Sequence, residues 1–385
     1  MSWIPDLSGH RELKRVRWAA RCAKIVVRIN QFPTGGAAIS GLRHLIVLVV
    51  PLFLSILTAC SGGSDSESTP VQFVPTPTVN PLLPESPPKF LYEWKIDGSN
   101  HVRRWWSPWL ASTDPGAGKD DSVNRLAGIA VDSIGDVYVA KPDTHRVQKF
   151  TSDGTFITEW GSFGDEPGQF SFTNDVAANL DGHIYVADSL NHRIEKFTAD
   201  GKFLLEWGDT GSGESEFLNA RNLVVDSSGN VFVADFQNHR IQKFTADGVF
   251  LTGWGRHGDH DGGFLFANDV AVDSLDNIYV SDGVARIQKF NNEGTFLDSW
   301  GDIGTEAGQF DRPFGMGIDS NDAIYVVEPL MNRIQKFDTN GTLLTLWGSE
   351  GTGEGQFDRP FGIAIDADGT IYVADPGNQR VQVFR

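Results

Sequence analysis

Asp175, Asn222 and Asp269 follow one another at intervals of 47 residues. Two carboxylates and a carboxamide are oxygen donors of the kind that hold Ca2+ or a similar hard cation. Each is preceded by another polar residue, so the chain writes Asn174-Asp175, Arg221-Asn222 and Asn268-Asp269 at one recurring position. At the next two recurrences the pair is Phe314-Gly315 and then Phe361-Gly362. Brought together, these positions make a cluster with a polar, acidic arc and an aromatic arc. An apolar wall with a few convergent polar groups is the usual composition of a ligand site. Two other roles stay open: cation binding by Asp175, Asn222 and Asp269, and simple capping of a turn by Asp and Asn side chains.

Three further groups have chemical potential. His145, His192 and His239 also recur at 47 residues. A zinc site needs its ligands to converge within about 2 Å of one ion, and copies one structural unit apart do not, so the trio reads as architecture. Arg103-Arg-Trp-Trp-Ser-Pro-Trp109 places Trp105, Trp106 and Trp109 in one loop, as a packed lid or an exposed binding platform. Arg256-His-Gly-Asp-His-Asp261 holds metal-capable types but reads as a solvated turn. Nucleophile elbow, phosphate loop, Cys/His zinc spacing and paired-Glu signature are all missing from the sequence.

What must position these residues is a repeat. The pentapeptide Arg-Ile-Gln-Lys-Phe and its variants end at Phe150, Phe197, Phe244, Phe290, Phe337 and Phe384, with gaps of 47, 47, 46, 47 and 47. A fixed period in this range means a propeller, solenoid or array. Each copy is all strand: short β-branched runs such as Asn-Ile-Tyr-Val-Ala-Asp alternate with Asp-Gly turns, where Gly accepts positive φ. Four strands per copy predict an all-β, six-bladed β-propeller of four-stranded antiparallel blades. The strand ending in Trp occurs six times, at Trp94, Trp160, Trp207, Trp254, Trp300 and Trp347. The sixth blade lacks that strand after Phe384, so 90–94 is expected to complete the last blade and close the ring. The Trp94-to-Trp160 spacing of 66 residues marks the Trp-rich insertion as extra length on the entry to blade 1.

Gly-Ile-Ala-Val-Asp, Tyr-Val-Ala-Asp, Asn-His-Arg-Ile-Gln-Lys-Phe and Gly-Gln-Phe resemble the NHL repeat, over 89–385. The resemblance implies the propeller fold. It spans several functions: protein or RNA binding, sensing in membrane receptors and, in relatives, metal-dependent lyase and lactonase chemistry. The Asp175, Asn222, Asp269 set is similar to the metal ligands of lactonase-type propellers. Those enzymes also use a Glu from an early blade, and this sequence has no matching Glu.

The formal charge is −18, and residues 1–60 hold eight Lys/Arg against two Asp/Glu, so the remainder carries −24. Such acidity disfavours nucleic acid as a partner. Residues 1–42 read as a basic extension, with a translation start farther downstream expected. Residues 43–60 read as a lipoprotein signal peptide whose lipobox, Leu57-Thr-Ala-Cys60, makes Cys60 the lipidated residue. Residues 61–88, rich in Ser, Thr and Pro, read as a tether. The expectation is a cell-envelope, lipid-anchored, extracytoplasmic binding or sensor module with no cofactor, its partner a protein, peptide or glycan at the channel mouth. The alternative is a Ca2+-dependent lactonase or lyase at the same mouth.

Overall fold

The computed structural model describes residues 85–95 and 127–385. The extension at 1–42, the signal-type segment with Cys60 at 43–60, residues 61–84 of the tether, and the loop carrying Trp105, Trp106 and Trp109 lie outside the described residues. Among the described residues, no helix is long and apolar enough to cross a membrane.

Six four-stranded sheets stand around a central channel, and in five of them the strands follow in chain order from inside to outside. Blade 2 is representative: Thr173–Ala178 innermost, then His183–Asp188, Arg193–Thr198 and Phe203–Trp207. The second strand is buried along almost its whole length, because both of its faces meet a neighbouring blade. The outer strand alternates half-buried and exposed positions, as expected where one face looks at water.

The sixth sheet breaks chain order. Phe90–Lys95 pairs antiparallel with Arg380–Phe384, with Trp94 opposite Val381. The first strand therefore supplies the outer strand of the last blade. The amides of Lys89 and Arg385 extend the pairing by exchanging hydrogen bonds at 2.7 and 2.8 Å. The end of the tether also touches the ring: Glu85 donates its N–H to Leu344 O and pairs with Lys336.

Adjacent blades share one apolar layer, and Trp and Gly mesh across it. A Cβ on Gly201 would sit 2.5 Å from Trp160 of the preceding blade, and one on Gly154 would sit 2.5 Å from Trp94. Both glycines also have positive φ, so nothing larger fits there. The layer between blades 6 and 1 gathers Trp94, Tyr372, Val381 and Val383 against Ile129, Val139 and Phe150, like the layers elsewhere in the ring.

The recurring Asp-Arg pair pins loops. At the end of the second strand in blades 2 to 6 an acid accepts the amide of the loop entering its own blade: Asp188 from Ser171 and Phe172, Asp235 from Leu218, Asp282 from Leu265, Glu328 from Asp311, Asp375 from Asp358. The arginine that opens the third strand then pairs with that acid at 2.6–3.4 Å. Blade 1 departs. Lys141 stands at the acid's position, 2 % exposed, with no carboxylate within ion-pair distance among the described residues, and Arg146 turns to Glu159 instead.

Candidate functional site

The inner strands set the channel mouth. In blades 2, 3 and 4 they are six residues long and bulged where they approach it, between Thr173 and Asp175, Ala220 and Leu223, and Ala267 and Asp269. A bulge re-aims side chains, and here it turns Asp175, Asn222 and Asp269 onto the channel wall. In blades 5 and 6 the inner strands are only three residues, Met316–Ile318 and Ile363–Ile365. Glycine explains the difference: a Cβ on Gly315 would lie 2.1 Å from Phe361 O, and one on Gly362 would lie 2.5 Å from Ala127 O. The backbones approach too closely for a side chain.

The channel encloses about 200 Å3 and is lined by inner-strand residues of all six blades. Its wall runs from Asp175, Asn222, Asp269 and Phe361 at the mouth to Val131, Val225, Val272 and Ile365 at the far end.

Nearly every polar group at the mouth is committed to the next blade. Asp175 accepts the N–H of Leu223 at 3.0 Å, and Asp269 accepts that of Met316 at 2.6 Å and its neighbour Val270 at 2.7 Å. Asn174 donates to Arg221 O and to Asn222 Oδ1 at 2.8 and 2.9 Å, and Asn268 donates to Pro313 O at 3.0 Å. These side chains are interblade staples, not the caps of a turn entering the strand.

Burial holds the Asp175 carboxyl well above the usual carboxylate range, and the charge of Asp269 pushes it the same way. Burial also raises Asp269, against the hydrogen bonds that favour its charged form. With oxygens already accepting backbone amides, the two carboxyls are a poor cradle for Ca2+, which takes six to eight oxygens. Asn222 fits no better, since its Oδ1 already accepts from Asn174. Among the described residues no group of three His, Cys, Asp or Glu is placed to hold a metal. The Asp175, Asn222, Asp269 ligand set read from the sequence does not fit the ion.

The histidine trio is also structural. His145, His192 and His239 have φ of 56–57° at the turn after the second strand. His192 Nδ1 accepts the amide of Asn219, and His239 Nδ1 meets Leu265 O at 2.5 Å. His192 and His239 thus reach the next blade's entry loop, and in blade 5 Asn332 does the same for Arg359; His145 packs against Phe163 with ring centroids 4.9 Å apart. In the Arg256–Asp261 turn, His257, Asp259, His260 and Asp261 are exposed, and Arg256 donates to His260.

The aromatic side of the mouth extends farther than the sequence reading placed it. Phe314 and Phe361 pack with ring centroids 5.1 Å apart. The Arg221 guanidinium lies over Phe314 at 4.6 Å and over Phe236 at 4.3 Å. Phe236 in turn stacks on Phe266 at 4.8 Å. All four phenylalanines are half-buried, while Arg221 is 9 % exposed and has its pKa pushed down to about 10 by burial, against the favourable charge of Asp269. Phe236 and Phe266 carried a usable signal: Phe236 stands where other blades have Pro142, Ser189, Gly283, Pro329 and Pro376.

Six four-stranded blades around a lined channel define the molecule as a six-bladed β-propeller. The NHL repeat model matches 357–384, and a family described as a 6-bladed beta-propeller matches 174–315. No curated protein matches the sequence. Among solved structures, a protein of unknown function from Bacteroides thetaiotaomicron superposes with TM-score 0.55 at 18 % identity, covering 68 % of this chain and 69 % of that one. A gluconolactonase from Xanthomonas campestris gives 0.52 at 15 %, covering 68 % and 86 %. A streptogramin B lyase gives 0.51 at 16 %, covering 68 % and 94 %. At these identities the likeness is one of fold.

Proposed function

We propose that this propeller is a non-catalytic binding module, whose mouth face receives a protein, peptide or glycan of the cell envelope. The lipid anchor at Cys60 and the tether up to residue 88 would hold that face clear of the membrane. One observation carries the reading. The mouth's carboxylates and amides are consumed by interblade hydrogen bonds, while Phe236, Phe266, Phe314 and Phe361 stay half-open to solvent around it. A cluster of partly exposed aromatics at a concave centre is what recognition uses, and a hydrolytic or lyase site would need free acid–base groups instead.

The test compares two faces of the full chain. Phe314→Ala/Phe361→Ala, and separately Trp105→Ala/Trp106→Ala, are set beside Leu275→Ala, whose exposed side chain sits on a turn at the opposite end of the channel. Capture of envelope components should fall at least about tenfold in the Phe pair, the effect of losing one hot-spot contact, and stay unchanged in Leu275→Ala. Equal capture by all variants with unchanged melting temperatures removes the mouth face from the account.

A further inference from the structure

Arg221 has hydrogen-bonding capacity to spare. A guanidinium carries five N–H donors. Here one hydrogen bond is made, from Nη1 to Asn268 Oδ1 at 3.3 Å, and no carboxylate lies within ion-pair distance among the described residues. Nε and Nη2 find no acceptor among the described residues, yet neither is sealed from solvent, in contrast to Arg193 Nε. The other inward arginines of the fold are saturated: Arg333 and Arg380 each combine an acid with three loop carbonyls. Arg221 alone among these is stacked on rings, and the rings beside it are half-open.

We infer that Arg221 is the receptor for a carboxylate carried on an aromatic body. This rests on the reading of the mouth as a binding face and names the ligand class. With Nη1 engaged by Asn268, the Nε–Nη2 edge is the one left for an acceptor. That edge matches the two oxygens of a carboxylate. The ligand's ring then lies on Phe314 and Phe361 or on Phe236 and Phe266, where aromatic pairs gain beyond area burial alone. A monoanion suits the site better than phosphate. Asp269 acts electrostatically on Arg221 and on Asp175, so a dianion meets more repulsion there than a monoanion does.

N-acetylphenylalanine and its neutral amide, N-acetylphenylalaninamide, differ only at the carboxylate and are the probes. With the full chain, the acid should bind at least about tenfold more tightly than the amide, as expected for a charge-assisted bidentate contact. It should shift the Arg221 Nε–Hε resonance in the unmutated protein, and inorganic phosphate should not. Arg221→Met should remove the acid's advantage and leave amide binding unchanged; Arg221→Lys should restore part of it. The resonance shift needs no variant, so the inference can be judged even if Arg221→Met unfolds. Equal binding of acid and amide, both lost in Phe314→Ala, overturns the carboxylate receptor while leaving the mouth as a binding face. A shift as large with phosphate as with the acid, or none with either probe, also overturns it; partner capture then still decides the mouth separately.

Discussion

Trp94→Ala should destabilise the propeller by about 3–5 kcal/mol, the range for emptying a buried aromatic site. Trp94 is 8 % exposed and lies 5.9 Å from Tyr372 and 6.4 Å from Phe150 by ring centroids. It sits in the layer where blade 6 meets blade 1, on a strand held by a single sheet edge. The loss therefore combines a cavity with weaker pairing at the sheet whose outer strand comes from the N-terminal side of the propeller rather than from the adjoining hairpin. Denaturant unfolding of the full chain measures it. A loss below about 1 kcal/mol, the level of a surface substitution, would mean that Phe90–Lys95 does not cover the edge of the last blade.

Glu195→Gln should do the reverse and stabilise the fold. Five blades carry Gln here: Gln148, Gln242, Gln288, Gln335 and Gln382. In blades 3 to 6 the amide serves both ways. Gln335, for instance, donates to Gln309 O and to Glu328, and accepts the amide of Gly308. Glu195 keeps the accepting half, from Gly168 at 2.7 Å, and lacks the donor. It draws Arg193 Nη2 to 2.9 Å, while Arg193 Nε stands 3.4 Å from Asp188, longer than in the sister blades. Burial pushes its pKa up to about 8, with Arg193 opposing.

A carboxyl raised on folding binds more protons folded than unfolded, so its contribution to stability falls as pH rises from about 4.5 to about 8. The gain in the variant should be small near the lower limit and grow to about 2 kcal/mol at the upper one, on the order of one restored hydrogen bond plus one removed buried charge. For a propeller of about 300 residues that corresponds to a melting temperature higher by roughly 3 °C. A variant less stable than the parent at pH 8 would show that the charge, through Arg193, is needed by the blade.

The blades and their closure were legible because repetition supplies its own alignment: a Trp missing from the end and present at the start leaves one economical pairing. The mouth was legible for the same reason in reverse, since Asn-Asp against Phe-Gly is a departure from the repeat. What the side chains do there was not. The partners of Asp175 and Asp269 are amides of Leu223 and Met316, 47 or 48 residues on. Only three-dimensional packing of adjacent blades brings them into reach, and an oxygen that meets an amide has the same residue type as one that meets a cation. Arg221 was visible as a polar residue, but its stacking on Phe236 and Phe314 depends on loops of blades 3 and 5 converging above blade 4. The exchange of Asp for Lys141 was visible too; the turn of Arg146 to Glu159 that accompanies it needed the structure.

The central claim is that Asp175 and Asp269 hold blades together and leave recognition to the arginine and its rings. Thermal unfolding of the full chain, first with chelator and then with about 5 mM Ca2+, above the affinity range of weak extracellular sites, tests it most directly when repeated with Asp175→Asn/Asp269→Asn. The same melting temperature is expected with and without the ion in both proteins. A rise with Ca2+ in the parent that vanishes in the double variant would contradict it and return the mouth to cation chemistry.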